Sequence, residues 1–228
     1  MPCVQQWREL SVISAARATN DVHLEQIEVH SKEACVAILD SRVNLCTWLR
    51  EAPTVDDLAM HGASLDFFIR PSKSPAWRQK LARELSDLPV ALKADIERLV
   101  SLYVSLTDVS RVHVQLNEVT HDKCKRFHVD RLRLRLLCTY RGPGTDWVPE
   151  AFVDRQAVYD AASPAHANNA ALVRDVDEIR RVPTGAVAIL KGDAYPGNDG
   201  KGIIHRSPPI MHLGARRLVL TIDDLIAP

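Results

Sequence analysis

Residues 124–148 read CKRFHVDRLRLRLLCTYRGPGTDWV, and the phrase Phe127-His128-Val129-Asp130 near its start decides the reading. In an extended segment, alternate side chains point to the same side. His128 and Asp130 therefore present an imidazole nitrogen and a carboxylate oxygen to one point. One further imidazole from a neighbouring strand completes the two-histidine, one-carboxylate arrangement, which leaves other metal positions open. Such ligands suit ferrous iron or manganese, and they also hold zinc. The competing reading is a surface pair, or a histidine satisfied by its neighbour. The metal reading explains both residues with one geometry.

The candidate third ligand is His205. It follows the loop Gly192 to Gly202, which is rich in glycine, asparagine and aspartate, and it ends the short apolar run Ile203-Ile204. Arg206-Ser207-Pro208-Pro209 comes directly after it. Farther on, Arg216 and Arg217 offer a guanidinium fork, the group that binds a carboxylate through two parallel hydrogen bonds. Arg216 shares strand parity with Leu218, Leu220 and Ile222, and Arg217 with Val219 and Thr221. If the more apolar face lines the site, Arg216 points inward, and a bulge reverses this. Either arginine instead pairs on the surface with an acid such as Asp223 or Asp224 in the plainer reading.

If the strand from His128 runs unbroken, Leu132, Leu134, Leu136, Cys138 and Tyr140 share the ligand face, while Arg131, Arg133 and Arg135 face outward. Tyr140 then donates to a bound carboxylate. The loop Arg141 to Trp147 forms a rim, with Trp147 as lid or anchor. Packing in core or loop is the competing role for both aromatics. His121, Asp122 and Cys124 make a second cluster whose spacing matches no standard site. His113, His166 and His212 carry no assigned role.

Working outward, the chain divides into a mainly helical region, residues 1–107, and a strand-rich region, residues 108–228, expected to form one compact unit. In the first, Val36-Ala37-Ile38-Leu39 reads as a short strand, followed by a helix through Val43, Leu45, Trp48 and Leu49. Thr54, with Asp56 and Asp57, suggests a helix start. Ser74-Pro75 is another, leading into Trp77, Leu81, Leu85 and Leu88. A further helix spans about Leu92 to Leu106, with Ile96, Leu99, Val100 and Tyr103 on its stripe. In the second region, strands are expected at Val112–Leu116, Arg131–Leu136, Ala186–Leu190, Ile203–His205 and Leu218–Ile222. Short strands between turn clusters imply a sandwich or barrel.

Hydrophobic residues make up 46% of the 228 residues, enough for a proper core. Lysine plus arginine equals aspartate plus glutamate at 29 each, so no global charge draws the chain to nucleic acid or an anionic membrane. A local patch, Lys123, Lys125, Arg126, Arg131, Arg133 and Arg135, is the one counter-indication. No run approaches a membrane span. The first twenty residues lack an apolar signal core, and a cytoplasmic location is expected. Five cysteines without a CxxC pair argue against a disulfide scaffold or a four-cysteine zinc site. Cys3, Cys35, Cys46, Cys124 and Cys138 are expected to act mainly as small hydrophobes.

The order His128-x-Asp130, then Pro183-Thr184-Gly185-Ala186-Val187-Ala188-Ile189-Leu190, then His205, then Gly214-Ala215-Arg216 resembles the double-stranded β-helix iron(II)/2-oxoglutarate oxygenases, and more loosely the cupins. The resemblance covers roughly residues 110 to 225. It implies an α+β protein with a double-stranded β-helix (jelly-roll) barrel. It makes His128, Asp130 and His205 the metal ligands and catalytic centre, and Arg216 or Arg217 the clamp on the far carboxylate of 2-oxoglutarate. It also implies a dioxygenase that hydroxylates or demethylates a small-molecule or protein substrate. Residues 124–148 and the phrase HRSPP, residues 205–209, are also similar to a bacterial family of unknown function whose genes are associated with zinc homeostasis. That likeness carries an alternative: a zinc-linked or cupin-like metal-binding protein that does not use 2-oxoglutarate.

Overall fold

A computed structural model describes residues 26–56, 62–122, 124–158 and 165–224. Cys3, Asp57 and Lys123, named above, lie outside them. Among the described residues the strands are β1 (Gln26–Val29), β2 (Leu45–Trp48), β3 (Ser64–Ile69), β4 (Val112–Val119), β5 (Leu134–Arg141), β6 (Asp146–Val148), β7 (Arg180–Arg181), β8 (Val187–Lys191), β9 (Ile204–Arg206) and β10 (Arg217–Asp223). The helices are α1 (Ala76–Glu84), α2 (Val90–Leu106), α3 (Arg155–Val158) and α4 (Ala165–Leu172).

The strands form a seven-stranded sheet in the order β1-β2-β8-β5-β10-β4-β3 and a three-stranded sheet in the order β7-β6-β9. An isolated bridge joins His128 to His205 of β9, extending the smaller sheet by one short segment. From β4 onward the chain alternates between sheets. It runs through β4, the His128 bridge, β5, then β6 and β7, then β8, β9 and β10. This winding resembles that of a double-stranded β-helix.

Three layers of apolar packing hold the assembly. Leu134, Leu136, Cys138 and Tyr140 of β5 and Leu218, Leu220 and Ile222 of β10 pack with α1 and α2 in the main core. From α2 this core takes Leu92, Ile96, Leu99, Val100 and Tyr103, at three- and four-residue spacing. Burying each such side chain stabilises the fold by about 1.5–3 kcal/mol. Tyr103 also donates its hydroxyl to Leu134 O at 2.8 Å, pinning α2 to the start of β5. The opposite face of the large sheet, with Leu45, Leu137, Ala188, Leu190 and Val219, packs on Trp147, Val182 and Ile203. Behind the small sheet lies a third cluster, including Phe127, Val148, Leu172 and Ile204. No helix among the described residues is long and apolar enough to cross a membrane.

Among its described residues, the first half is not mainly helical. It gives β1, β2 and β3 to the large sheet alongside α1 and α2. The two short apolar runs exchange their expected forms. Residues Glu33–Leu39 are a 3-10 helix that buries Cys35 and Ile38 and exposes Val36 and Leu39, a three-residue period. Residues Leu45–Trp48 form β2, buried on both faces, so no alternation marks it. Thr54 to Asp56 have no regular structure. Ser74-Pro75 does start a helix: Ser74 Oγ accepts from Ala76 N at 3.3 Å.

Candidate functional site

His128 and His205 sit opposite each other and exchange both backbone hydrogen bonds, each 3.0 Å. Their rings lie side by side, centroids 4.6 Å apart. Asn169 fixes the approach to this bridge by accepting from Phe127 N at 2.8 Å and donating to Lys125 O at 2.9 Å. After Val129 the chain turns out of line. Asp130 O accepts from Asp193 N at 2.9 Å, and Leu132 O from Ala194 N at 3.2 Å. Gly192 permits this approach, since a Cβ there would stand 2.5 Å from Asp130 O.

His128 Nδ1 bonds to Arg126 O at 2.9 Å and His205 Nδ1 to Ile203 O at 3.1 Å. An imidazole that donates from Nδ1 keeps its lone pair on Nε2. His205 Nε2 lies 3.4 Å from Asp130 Oδ2, and His128 Nε2 lies 3.8 Å from Asp130 Oδ1. One donor atom from each of the three residues falls within 4.8 Å of the others. Ligands about 2 Å from one ion and at right angles to each other stand about 3 Å apart, so the triad closes on an ion by drawing in less than about 2 Å.

The donor set fits a hard or borderline divalent cation. Asp130 Oδ2 is buried and has no hydrogen-bond partner. Such an oxygen costs about 1–3 kcal/mol or more unless something binds it. Burial opposes ionisation of Asp130, but His205 and Arg135 outweigh it and hold the carboxyl well below the usual carboxylate range. Burial, and then the neighbouring His205, lower the His128 pKa, favouring the neutral imidazole that a metal needs.

The cavity beside the triad is lined by His128, His205, Arg135, Arg217, Thr145 and Gln115, among others, and holds about 190 Å³. Pockets for drug-sized ligands run from roughly 300 to 1,000 Å³, so this one suits a small molecule. Arg217 is 2% exposed. It donates to Pro143 O at 2.7 Å, to Ser207 Oγ at 3.0 Å and, at longer range, to the Thr139 and Thr145 hydroxyls. No carboxylate among the described residues pairs with it, and burial brings its pKa down to about 10. The turn Gly142-Pro143-Gly144 is pressed onto it: a Cβ on Gly142, whose φ is +77°, would lie 2.2 Å from Arg216 O.

Three face assignments require correction. Arg216 points away from the cavity and pairs with Glu118 at 2.9 Å, while Arg217 points in. The apolar face of β10 packs on the helices, and the mixed face lines the cavity. Tyr140, on the apolar face of β5, donates to Asp95 at 2.8 Å, on the far side of the sheet from the triad. Arg135 and Leu137 line the cavity in its place. Trp147 is 2% exposed and packs between the sheets, not at a rim. In the second cluster, Asp122 accepts from Ile210 N and Met211 N and Cys124 is exposed, so the cluster serves a turn.

Arg135, Thr145, Ser207 and Asn169 carry no motif of their own. HRSPP alone signals one of them: His205 joins the triad, Arg206 reaches Asp146 Oδ2 at 3.2 Å, and Ser207 holds Arg217.

Several solved structures resemble the chain at a distance. One is the dioxygenase for auxin oxidation 1 from Arabidopsis thaliana in its 2-oxoglutarate binary complex, 12% identical, covering 90% of this chain and 92% of that one, with a TM-score of 0.41. A bsmA homolog from Methylobium petroleophilum is 13% identical over 86% of this chain and 93% of that one, TM-score 0.40. A prolyl-4-hydroxylase from Pseudomonas putida is 13% identical over 85% and 97%, TM-score 0.37. Superpositions this loose carry no functional weight. No curated protein matches the sequence. A family model described as "Protein of unknown function (DUF1826)" matches residues 30–223, and the chain belongs to that family.

Proposed function

We propose that this protein is a metal-dependent oxygenase of the iron(II)/2-oxoglutarate type, built on a double-stranded β-helix, with a small-molecule or protein substrate. One observation carries the reading. A triad with an orphaned carboxylate oxygen shares a small cavity with a buried guanidinium that has no acidic partner. A buried arginine without a counter-ion is costly and calls for an anion. Arg217 supplies the fork for the far carboxylate of 2-oxoglutarate. The Thr139, Thr145 and Ser207 hydroxyls around it can turn to accept or donate as that anion arrives or leaves.

His128, Asp130 and His205 would hold ferrous iron. With oxygen and 2-oxoglutarate, the metal would supply oxidative decarboxylation coupled to hydroxylation or demethylation of the substrate. The residues of the chain bind and orient. Both imidazoles are aimed by the backbone carbonyls they bond, and Leu137 and Val219 keep one wall of the cavity apolar.

The test is an anaerobic titration of the apo-protein with ferrous iron and 2-oxoglutarate, followed by visible absorption. The expected result is a metal-to-ligand charge-transfer band that is absent in His128→Ala. Bound metal without the band overturns the oxygenase reading and leaves a zinc-type or cupin-like metal site.

A further inference from the structure

Arg135 reaches the triad from β5. Its Nη1 donates to Asp130 Oδ1 at 2.8 Å. Its Nε and Nη2 donate to Asp223 Oδ2 at 3.1 and 2.9 Å. The second Asp130 oxygen is left buried and without a hydrogen-bond partner. The register of the sheet builds this arrangement. Asp223 of β10 stands opposite Arg135 of β5 on one side and His113 of β4 on the other. His113 Nε2 in turn meets Asp66 Oδ1 of β3 at 2.5 Å. A chain of polar contacts across the sheet therefore runs Asp66, His113, Asp223, Arg135 and ends on Asp130, with Asp66 reaching diagonally from its place opposite Gln115. Asp223 is 2% exposed and anchors two nitrogens of the guanidinium. A planar fork fixed at two points has little freedom in where it aims the third.

We propose that Arg135 is a positioning residue for the metal site: it occupies one oxygen of Asp130, so that the carboxylate offers only the other to a cation. The proposal rests on the metal reading of the triad. Carboxylates bind cations through one oxygen or two. A carboxylate that gives two takes a position a chelating co-substrate needs, and the facial arrangement works by leaving positions open. Asp223 keeps the clamp in place, which explains an otherwise costly acid buried in the strand.

The test uses Co²⁺ alone as the probe, titrated into apo-protein while the visible ligand-field spectrum is recorded. Arg135→Gln combined with Asp223→Asn removes both charges together, so that Asp223 is not left as an uncompensated buried carboxylate. The expected result is a Co²⁺ affinity about 10–100-fold weaker, with a changed band shape as the second oxygen joins the metal. Arg135→Lys keeps the charge but not the fork, and is expected between wild type and the double variant. Near-UV circular dichroism establishes that each variant is folded. A folded double variant with wild-type affinity and an unchanged spectrum overturns the proposal. If that variant does not fold, Arg135→Lys decides by the same criteria. Folded wild type that takes no Co²⁺ overturns this proposal and the metal reading together. Normal wild-type binding with unaltered variants overturns this proposal alone.

Discussion

A buried aspartate lies on each side of the large sheet, Asp95 from α2 and Asp130 from the segment before β5, and the two are treated in opposite ways. On the helix face, Asp95 is fully buried, and its oxygens take four donors: Arg50 Nη1 at 2.5 Å, Arg50 Nη2 at 2.8 Å, Arg98 Nη2 at 2.6 Å and the Tyr140 hydroxyl at 2.8 Å. On the cavity face, Asp130 has one oxygen held by Arg135 and the other without a hydrogen bond, 3.4 Å from His205 Nε2. Both are aspartates with an arginine close by in sequence, Arg98 and Arg131, but only Asp130 has a histidine two residues before it. The difference lies in completion. A carboxylate whose lone pairs are all used holds the fold together, and one left short beside two imidazoles has an oxygen to offer a ligand.

The sharpest way to break this contrast is to remove each acid. Asp95→Ala leaves Arg50 buried without its counter-charge and is expected to cost about 3–5 kcal/mol in chemical denaturation. Asp130→Ala in the apo-protein is expected to cost about 1 kcal/mol or less, because Arg135 keeps Asp223. Equal costs would erase the distinction. Next in size is the metal. Divalent cation at a hundredfold excess over its Kd is expected to stabilise wild type by about 2.7 kcal/mol. In His205→Ala that gain is expected to vanish, read as the shift in thermal midpoint. Arg217→Met is expected to lose about 2–3 kcal/mol of 2-oxoglutarate binding by calorimetry. Arg216→Ala, exposed on Glu118, is expected to change stability by about 1 kcal/mol at most and co-substrate binding not at all.

The closed cluster has a pH signature. Burial alone would raise the Asp95 pKa, but Arg50 and Tyr140 outweigh burial and lower it. The stability it contributes is therefore fully present above the unfolded carboxylate value of about 3.9 and is lost as pH falls through the folded value below. Asp95→Asn is expected to flatten the stability profile below about pH 4, measured by urea midpoints. Equal slopes would place the acid sensitivity elsewhere. A comparably small effect comes from Tyr140→Phe, which removes one donor from Asp95. It is expected to cost about 1 kcal/mol and to leave metal and 2-oxoglutarate binding untouched, which fixes Tyr140 to the helix side.

What was legible in the sequence was the set of parts. His128, Asp130 and His205 could be picked out, and so could a late arginine pair, because spacing and strand context are local properties. What was not legible was which face they occupied. The face assignments from His128 to Tyr140 assumed an unbroken strand, but pairing in β5 begins only at Leu134. Between them the chain is tied to the loop after Gly192, and parity restarts. Choosing Arg216 over Arg217 assumed that the most apolar face lines a site. In a sheet with helices on one side, that face belongs to the helices. The two apolar runs near residues 36 and 46 failed for a different reason: runs of four residues hold too few turns to separate helix from strand.

The bridge between His128 and His205 also bears on how the protein is made. The ligands arrive from distant parts of the chain, and the pairing that unites them is a single closed pair of hydrogen bonds. Contacts of such long sequence separation form late. A chain still emerging during synthesis carries His128 and Asp130 well before His205 can join them, so it has two donors and no site. On the metal reading, loading would report that β9 has docked beside His128, and an unfinished molecule would not pass for a finished one.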